Sequence, residues 1–222
     1  MEGKDIVIIG NGLFPEKPWP MYLLQQADHF ICCDGAFKTF LRKSAKIFGT
    51  LRLPDAVIGD MDSLPKSLRE QYPELIVHVS EQEDNDQTKA FNYVLETWKD
   101  VQHIHFLGAT GKRDDHTIGN VSLLMEYARQ LEAEGREISL EMISDYSTII
   151  PVTDTVELEC GEGRRVSIFT PDNSLKIKSE GLVWQTKDVV FDNWWKATLN
   201  KASDDKIRLE FSHKSIALLM MD

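Results

Sequence analysis

The stretch Ile104-His105-Phe106-Leu107-Gly108-Ala109-Thr110-Gly111-Lys112-Arg113-Asp114-Asp115-His116 runs from an apolar segment, through small residues and two glycines, into a helix start. Beyond it Ile118, Val121, Met125, Ala128 and Leu131 recur at spacings of three and four. Gly135 then offers a residue suited to the left-handed position after a helix. Strand, glycine loop and helix in that order form the repeating unit of an α/β fold. The same texture extends outward on both sides. Short apolar runs predict strands at Ile6-Val7-Ile8-Ile9, Phe30-Ile31-Cys32-Cys33, Ala56-Val57-Ile58, Leu75-Ile76-Val77 and residues 138–143. Near-continuous apolar strands belong to a sheet covered on both faces, so an open, mostly parallel sheet flanked by helices is expected over residues 1–146.

After residue 146 the period shortens to two. Val156/Leu158, Val166/Ile168 and Leu175/Ile177 alternate with polar residues, and Gly161-Glu162-Gly163, Pro171-Asp172-Asn173 and Glu180-Gly181 punctuate them. Further strands are predicted at 182–184, 207–211 and 216–221, with no helix, which reads as a small all-β sandwich over 147–222. Trp184, Trp194 and Trp195 read as core or interface residues of that part.

Composition narrows the function classes. Of 222 residues, 42% are hydrophobic and 27% charged, which describes a globular chain. No apolar run approaches the roughly 20 residues that cross a bilayer, and the N-terminal residues carry no leader pattern, so no membrane role is expected. Three cysteines, two of them adjacent, make no disulfide framework, and a cytoplasmic setting is expected. The net charge of −11 argues against a nucleic-acid backbone as ligand. Residues 1–150 hold 24 Asp+Glu against 15 Lys+Arg, and residues 151–222 hold 12 against 10, so the acidity sits in the α/β part.

Four clusters fall at predicted strand ends, where open α/β sheets bind ligands. Gly59-Asp60-Met61-Asp62-Ser63 offers two carboxylates at i and i+2, which face one side if the segment is extended and then suit one hard cation. The same residues also read as an acidic turn with Ser63 capping a helix that starts near Leu64-Pro65. Residues 81–89 gather Glu81, Glu83, Asp84 and Asp86 ahead of a helix; they suit its dipole, or they surround a divalent ion with Asp86 as its best-placed ligand. Gly108 to His116 makes an anion site, with Arg113 able to grip phosphate bidentately and His116 and Asn120 on one helix face; it equally reads as an ordinary loop with a basic pair. Cys33-Asp34-Gly35-Ala36 is again strand end, acid, glycine, and an Asp helix cap would look the same. Together, carboxylates and a phosphate-type loop at four ends of one sheet are what a magnesium–nucleotide site requires.

These residues resemble the thiamine pyrophosphokinase family. Its G-D-x-D-S pattern is matched by Gly59-Asp60-Met61-Asp62-Ser63, and its G-x-x-G-G-R-x-D-H pattern by Gly108, Gly111, Arg113, Asp115 and His116, with Asn120 following and D-G-A at Asp34-Gly35-Ala36. Lys112 stands at the second glycine of the pair, Glu83 and Asn85 replace an Asp and a Thr of an acidic D-x-T-D segment, and residues 215–219 bring no aromatic side chain. The resemblance implies pyrophosphoryl transfer from ATP, as co-substrate, to the thiamine hydroxyl. It implies magnesium on Asp60, Asp62 and Asp86, phosphates on Arg113 and the backbone of 108–111, and Asp115 orienting the hydroxyl or the thiamine ring. Substrate contacts are implied for Asp34, Gly35, Ser63, Thr88, Lys89, Gly108, Gly111, His116, Asn120, Thr198 and Asn200, in a homodimer whose active site lies between chains. A magnesium-dependent phosphotransferase acting on another alcohol, and a nucleotide- or thiamine-sensing module without turnover, are the competing readings.

Overall fold

The computed structural model describes residues 3–222. Two compact units divide the chain: residues up to Leu123 with Glu137–Asp145, and Leu124–Arg136 with Tyr146–Asp222.

The first unit is built on parallel strands β1 (Lys4–Ile9), β2 (His29–Cys33), β3 (Ala56–Gly59), β4 (Ile76–His78), β5 (Val101–Leu107) and β6 (Ser139–Ile143). Their spatial order is β6-β5-β1-β2-β3-β4. Helices α1 (Pro18–Gln26), α2 (Ala36–Phe48), α3 (Lys66–Gln71), α4 (Asp86–Thr97) and α5 (Asp114–Ala133) connect the strands, and α5 continues into the second unit. Val7, Ile9, Phe30, Cys32 and Val57 meet Leu24, Phe37 and Phe40 from α1 and α2 in one buried cluster. Strands buried this way need apolar residues at successive positions, which is why they stood out in the sequence. Strand order reverses between β1 and β5, because β2, β3 and β4 run away on one side and β6 lies on the other. A doubly wound sheet opens its ligand crevice at such a reversal.

Gly12 closes the floor of that crevice. Its N–H donates to Gly108 O at 2.6 Å, and Leu13 N–H donates to Thr110 O at 2.7 Å, so the loops after β1 and β5 continue the strand pairing. A Cβ on Gly12 would stand 2.3 Å from Thr110 O, so only glycine permits this approach.

In the second unit, β7 (Thr148–Val152), β9 (Arg165–Phe169), β11 (Ala197–Lys201) and β13 (Ala217–Met221) form an antiparallel sheet in the order β11-β9-β13-β7. β8 (Val156–Glu159), β10 (Ile177–Glu180) and β12 (Lys206–Phe211) form another, ordered β10-β12-β8. Val166, Ile168 and Leu219 from the first meet Ile177, Ile207 and Leu209 from the second in one buried cluster. The expected α/β part followed by an all-β sandwich is what forms.

Several local expectations are corrected. Residues 182–184 make one bridge, Leu182 to Ala202, and no strand, because the Asn200 side chain takes both the N–H and the C=O of Trp184. Leu175 lies in a turn closed on Asp172 rather than in a strand. α3 begins at Lys66 after Pro65 with no side-chain cap, so Ser63 is not its cap. Trp184, Trp194 and Trp195 are more than half exposed, which excludes a core role.

Candidate active site

The crevice is a cleft of about 710 Å³ at the carboxyl ends of the strands. One wall is acidic. β3 ends at Gly59, whose φ of +153° and missing side chain let two carboxylates approach: a Cβ there would stand 2.8 Å from Asp86 Oδ1 and 2.9 Å from the Asp34 Cβ. Asp60 follows and lines the cleft with Asp86. Asp34 is 1% exposed; its Oδ2 accepts the Ser63 N–H at 2.9 Å, while its Oδ1 is buried with no hydrogen-bond partner. Burial and the charges of Asp60 and Asp62 push the Asp34 carboxyl up. Burial, with Asp34 and Asp60 beside it, pushes Asp86 up to about 6. The Asp62 N–H, donating to Asp60 Oδ1 at 3.0 Å, holds Asp60 low.

Asp62 is arranged differently from the extended pair that the spacing predicts. Met61 turns the chain at φ +68°, so Asp60 lines the cleft and Asp62 is exposed outside its lining. Among the described residues no group of three His, Cys, Asp or Glu side chains stands ready as a complete metal cage. The donor chemistry nevertheless fits a hard cation. An orphaned buried carboxylate oxygen and a carboxyl driven toward its protonated form are what crowded acids show without a countercharge.

The opposite wall is the glycine loop and the start of α5. Gly111, Lys112, Arg113, His116 and Asn120 line it. Asn120 Nδ2 donates to Ala109 O at 2.7 Å, and Asn120 Oδ1 accepts from Asn85 Nδ2 at 3.0 Å, tying the acidic loop to the glycine loop. Asn85 caps α4 by accepting the Thr88 N–H at 2.9 Å, so the residue that departs from the family's Thr keeps a helix-capping side chain. Lys89 lines the cleft at 6% exposure, and its charge draws Asp60 and Asp86 toward ionisation. Arg113 is bound bidentately by Asp115, at 2.5 and 3.1 Å. That pair holds Asp115 low, at about 2, and places it outside the cleft lining. Gly35, Thr88 and Gly108 stand behind the lining; Gly35 packs against Asn11 and Ser63, and Ser63 does line the cleft.

Several lining residues were not singled out as site residues from the sequence, Asn11, Gln82 and Cys33 among them. Asn11 sits between Gly10 and Gly12 at the end of β1, the same strand-end glycine signal that marked the other loops. Gln82 Nε2 reaches Asp60 Oδ2 at 3.4 Å, and Cys33 Sγ donates to Asp86 O at 3.5 Å; neither residue type announces such a role. Burial pushes the Cys33 thiol up, so it is a neutral donor.

The second unit has its own smaller cavity of about 280 Å³, lined in part by Trp184, Lys196, Thr198, Leu199 and Asn200. Asn200 is spent on the Trp184 backbone, and Thr198 Oγ1 donates to Trp195 O at 2.8 Å. Both residues shape this cavity with side-chain groups already bonded to backbone.

Comparison with known proteins agrees with this arrangement. Residues 21–134 match the model of the thiamin pyrophosphokinase catalytic domain, and residues 148–217 that of the thiamin pyrophosphokinase substrate-binding domain. A thiamine pyrophosphokinase of Bacillus subtilis (strain 168) is 36% identical over 86 residues, a stretch that covers 34% of this chain and spans 39% of the length of that relative. A crystal structure of thiamine pyrophosphokinase from Bacillus subtilis has a TM-score of 0.75 at 20% identity, covering 99% of both chains. The yeast thiamin pyrophosphokinase structure has a TM-score of 0.76 at 16% identity, over 100% of this chain and 87% of the other. At those identities the two structures speak for the fold alone. The catalytic-domain match takes in more than half of the chain, including the acidic wall and the start of α5, and on that ground this chain belongs to the thiamin pyrophosphokinase family.

Proposed function

We propose that the chain transfers the pyrophosphoryl group of ATP to the hydroxyl of thiamine, giving thiamine diphosphate and AMP. The observation that carries this reading is the convergence of Asp60 and Asp86 on one cleft, with Asp34 buried behind them beside Gly59, and with Lys112 and Arg113 lining the same cleft. Transfer of this kind is mainly positioning and charge neutralisation, and the cleft has groups for both. Asp60 and Asp86, which line the cleft, would hold magnesium, with Asp62, which the turn at Met61 leaves outside the lining, reaching it through water. When bound, the ion offsets the phosphate charge and draws electron density from the phosphorus being attacked. The thiamine oxygen forms a bond to the β-phosphorus, the bond from that phosphorus to the α–β bridging oxygen breaks, and AMP departs. The hydroxyl proton passes to solvent or to a nearby carboxylate. Arg113 exchanges Asp115 for phosphate, since both offer paired oxygens to its planar fork. Asp115, so released, orients the attacking hydroxyl.

We further read the chain as a homodimer that works in a reducing compartment, a setting that suits its three free, buried cysteines. The test is to incubate the purified chain with ATP, magnesium and thiamine. AMP and thiamine diphosphate should form together, and neither without magnesium. Pyrophosphorylation of another alcohol, with thiamine left untouched, would transfer the reading to a different acceptor. Asp62→Ala should lose most turnover while thiamine binding persists; full turnover would remove Asp62 from the metal site and binding without turnover in the wild type would make the chain a sensor.

A further inference from the structure

Lys112 adopts φ +65°, a left-handed backbone that strains a residue with a Cβ and costs glycine nothing. Strain of this kind persists where the side chain has work at a site. Its Nζ crosses the crevice floor to donate to Asn11 O at 2.9 Å, with Asn11 Oδ1 at 3.5 Å, so the ammonium lies over the loop after β1 and lines the cleft.

The charges around the cleft single out this ammonium. Arg113 is already paired with Asp115, a bond it gives up when it takes phosphate, and Lys89 is buried next to Asp60 and Asp86, whose charges it offsets. Among the described residues Lys112 has no carboxylate in ion-pair contact; its bonded acceptors are the uncharged oxygens of Asn11. An ammonium has three donors, and the two Asn11 oxygens leave at least one to meet an anion. The loop backbone is left-handed at Gly108, Gly111 and Lys112; the Gly111 N–H donates to Thr117 Oγ1 at 3.0 Å and the Arg113 N–H to Gly111 O at 2.9 Å, so the Lys112 side chain, rather than these amides, is what the loop offers an anion.

We propose that Lys112 is a phosphate-binding residue of this chain: its ammonium holds the polyphosphate of the nucleotide on the wall opposite the carboxylates, and Asn11 O aims it. This rests on the reading of the cleft as a nucleotide site. Because phosphate is the shared chemistry, the probes separate phosphate from base.

The experiment measures equilibrium binding of inorganic tripolyphosphate and of adenosine, each with magnesium, to the wild type and to Lys112→Gly. Glycine accepts φ +65°, so this variant keeps its fold, and its thermal midpoint should equal or exceed that of the wild type. Lys112→Gly should weaken tripolyphosphate binding about tenfold or more, as loss of a charge-assisted hydrogen bond does, and leave adenosine unchanged. Lys112→Met should show the same loss, and Lys112→Arg should retain binding. Unchanged tripolyphosphate binding in Lys112→Gly overturns the proposal. So does a lowered midpoint with equal losses for both probes, because Lys112 is then only a strut between loops. Should the wild type bind tripolyphosphate through Lys112 and yet form no thiamine diphosphate, the phosphate site stands and the assigned reaction falls. Turnover of thiamine with an unaltered KM for ATP in Lys112→Gly gives the reverse result.

Discussion

Asp86 is the residue at which stability and function oppose each other. Burial, with Asp34 and Asp60 beside it, pushes its carboxyl up to about 6 in the folded chain, above the ordinary aspartate range, so the folded state holds the proton more tightly than the unfolded state does. The stabilising contribution is therefore complete below about pH 4 and is lost as pH rises through about 6. Without metal at pH 8, ionised Asp86 costs about 1 kcal/mol after solvent screening. Asp86→Asn should raise the metal-free thermal midpoint by a few degrees at pH 8, with the gain shrinking as pH falls from 6 toward 4. Added magnesium should raise the wild-type midpoint and leave the variant where it is. A variant less stable than wild type at pH 8 in chelator would show that the acids do not repel one another. At this scale the sequence revealed the acids and not their relations. Asp60 was legible because a strand end at Gly59 marks a loop over the sheet, and Asp86 because it stands among crowded acids just ahead of a helix. The inward turn of Asp60 and outward turn of Asp62 depend on Met61 at φ +68°, a conformation that methionine does not advertise.

Two contacts between elements are open to direct test. The loops after β1 and β5 are zipped through Gly12, so Gly12→Ala should push Thr110 away, cost about 1–3 kcal/mol in denaturant unfolding and impair nucleotide binding. Wild-type stability would show that the loops have room to spare. In the second unit Asp172 accepts from Ser174 Oγ at 2.6 Å, Ser215 Oγ at 2.7 Å and His213 Nε2 at 2.9 Å, fastening the loop before β10 to the loop after β12. These bonds hold its carboxyl well below the usual range. Asp172→Ala should cost about 1–3 kcal/mol, and unfolding by denaturant measures it. The central strands were readable from their apolar runs, while other elements were hidden for physical reasons. β7 contains Pro151, which cannot donate to a ladder and so argues against a strand. β11 has a shifted register and carries Leu199 at φ +60°, and its sequence Ala-Thr-Leu-Asn-Lys is weak in strand formers. α1 opens with Pro18 and Pro20, which suit a first helical turn but read equally as a loop.

Over the whole molecule the acidity has a definite distribution. The first 150 residues hold 24 acidic against 15 basic side chains, and Asp34, Asp60 and Asp86 lie together beside one cleft. An acidic chain binds an acidic nucleotide when a divalent cation comes with it, so nucleotide affinity should collapse in chelator while thiamine affinity survives. Titration calorimetry with each ligand checks this. No helix among the described residues is long and apolar enough to cross a membrane. The most direct test of the proposed chemistry follows the phosphorus atoms by NMR during one turnover with ATP, magnesium and thiamine. Attack at the β-phosphorus predicts AMP and thiamine diphosphate in equal amounts from the first turnover, without ADP or thiamine monophosphate. ADP with thiamine monophosphate, or no phosphorylated thiamine at all, would contradict it.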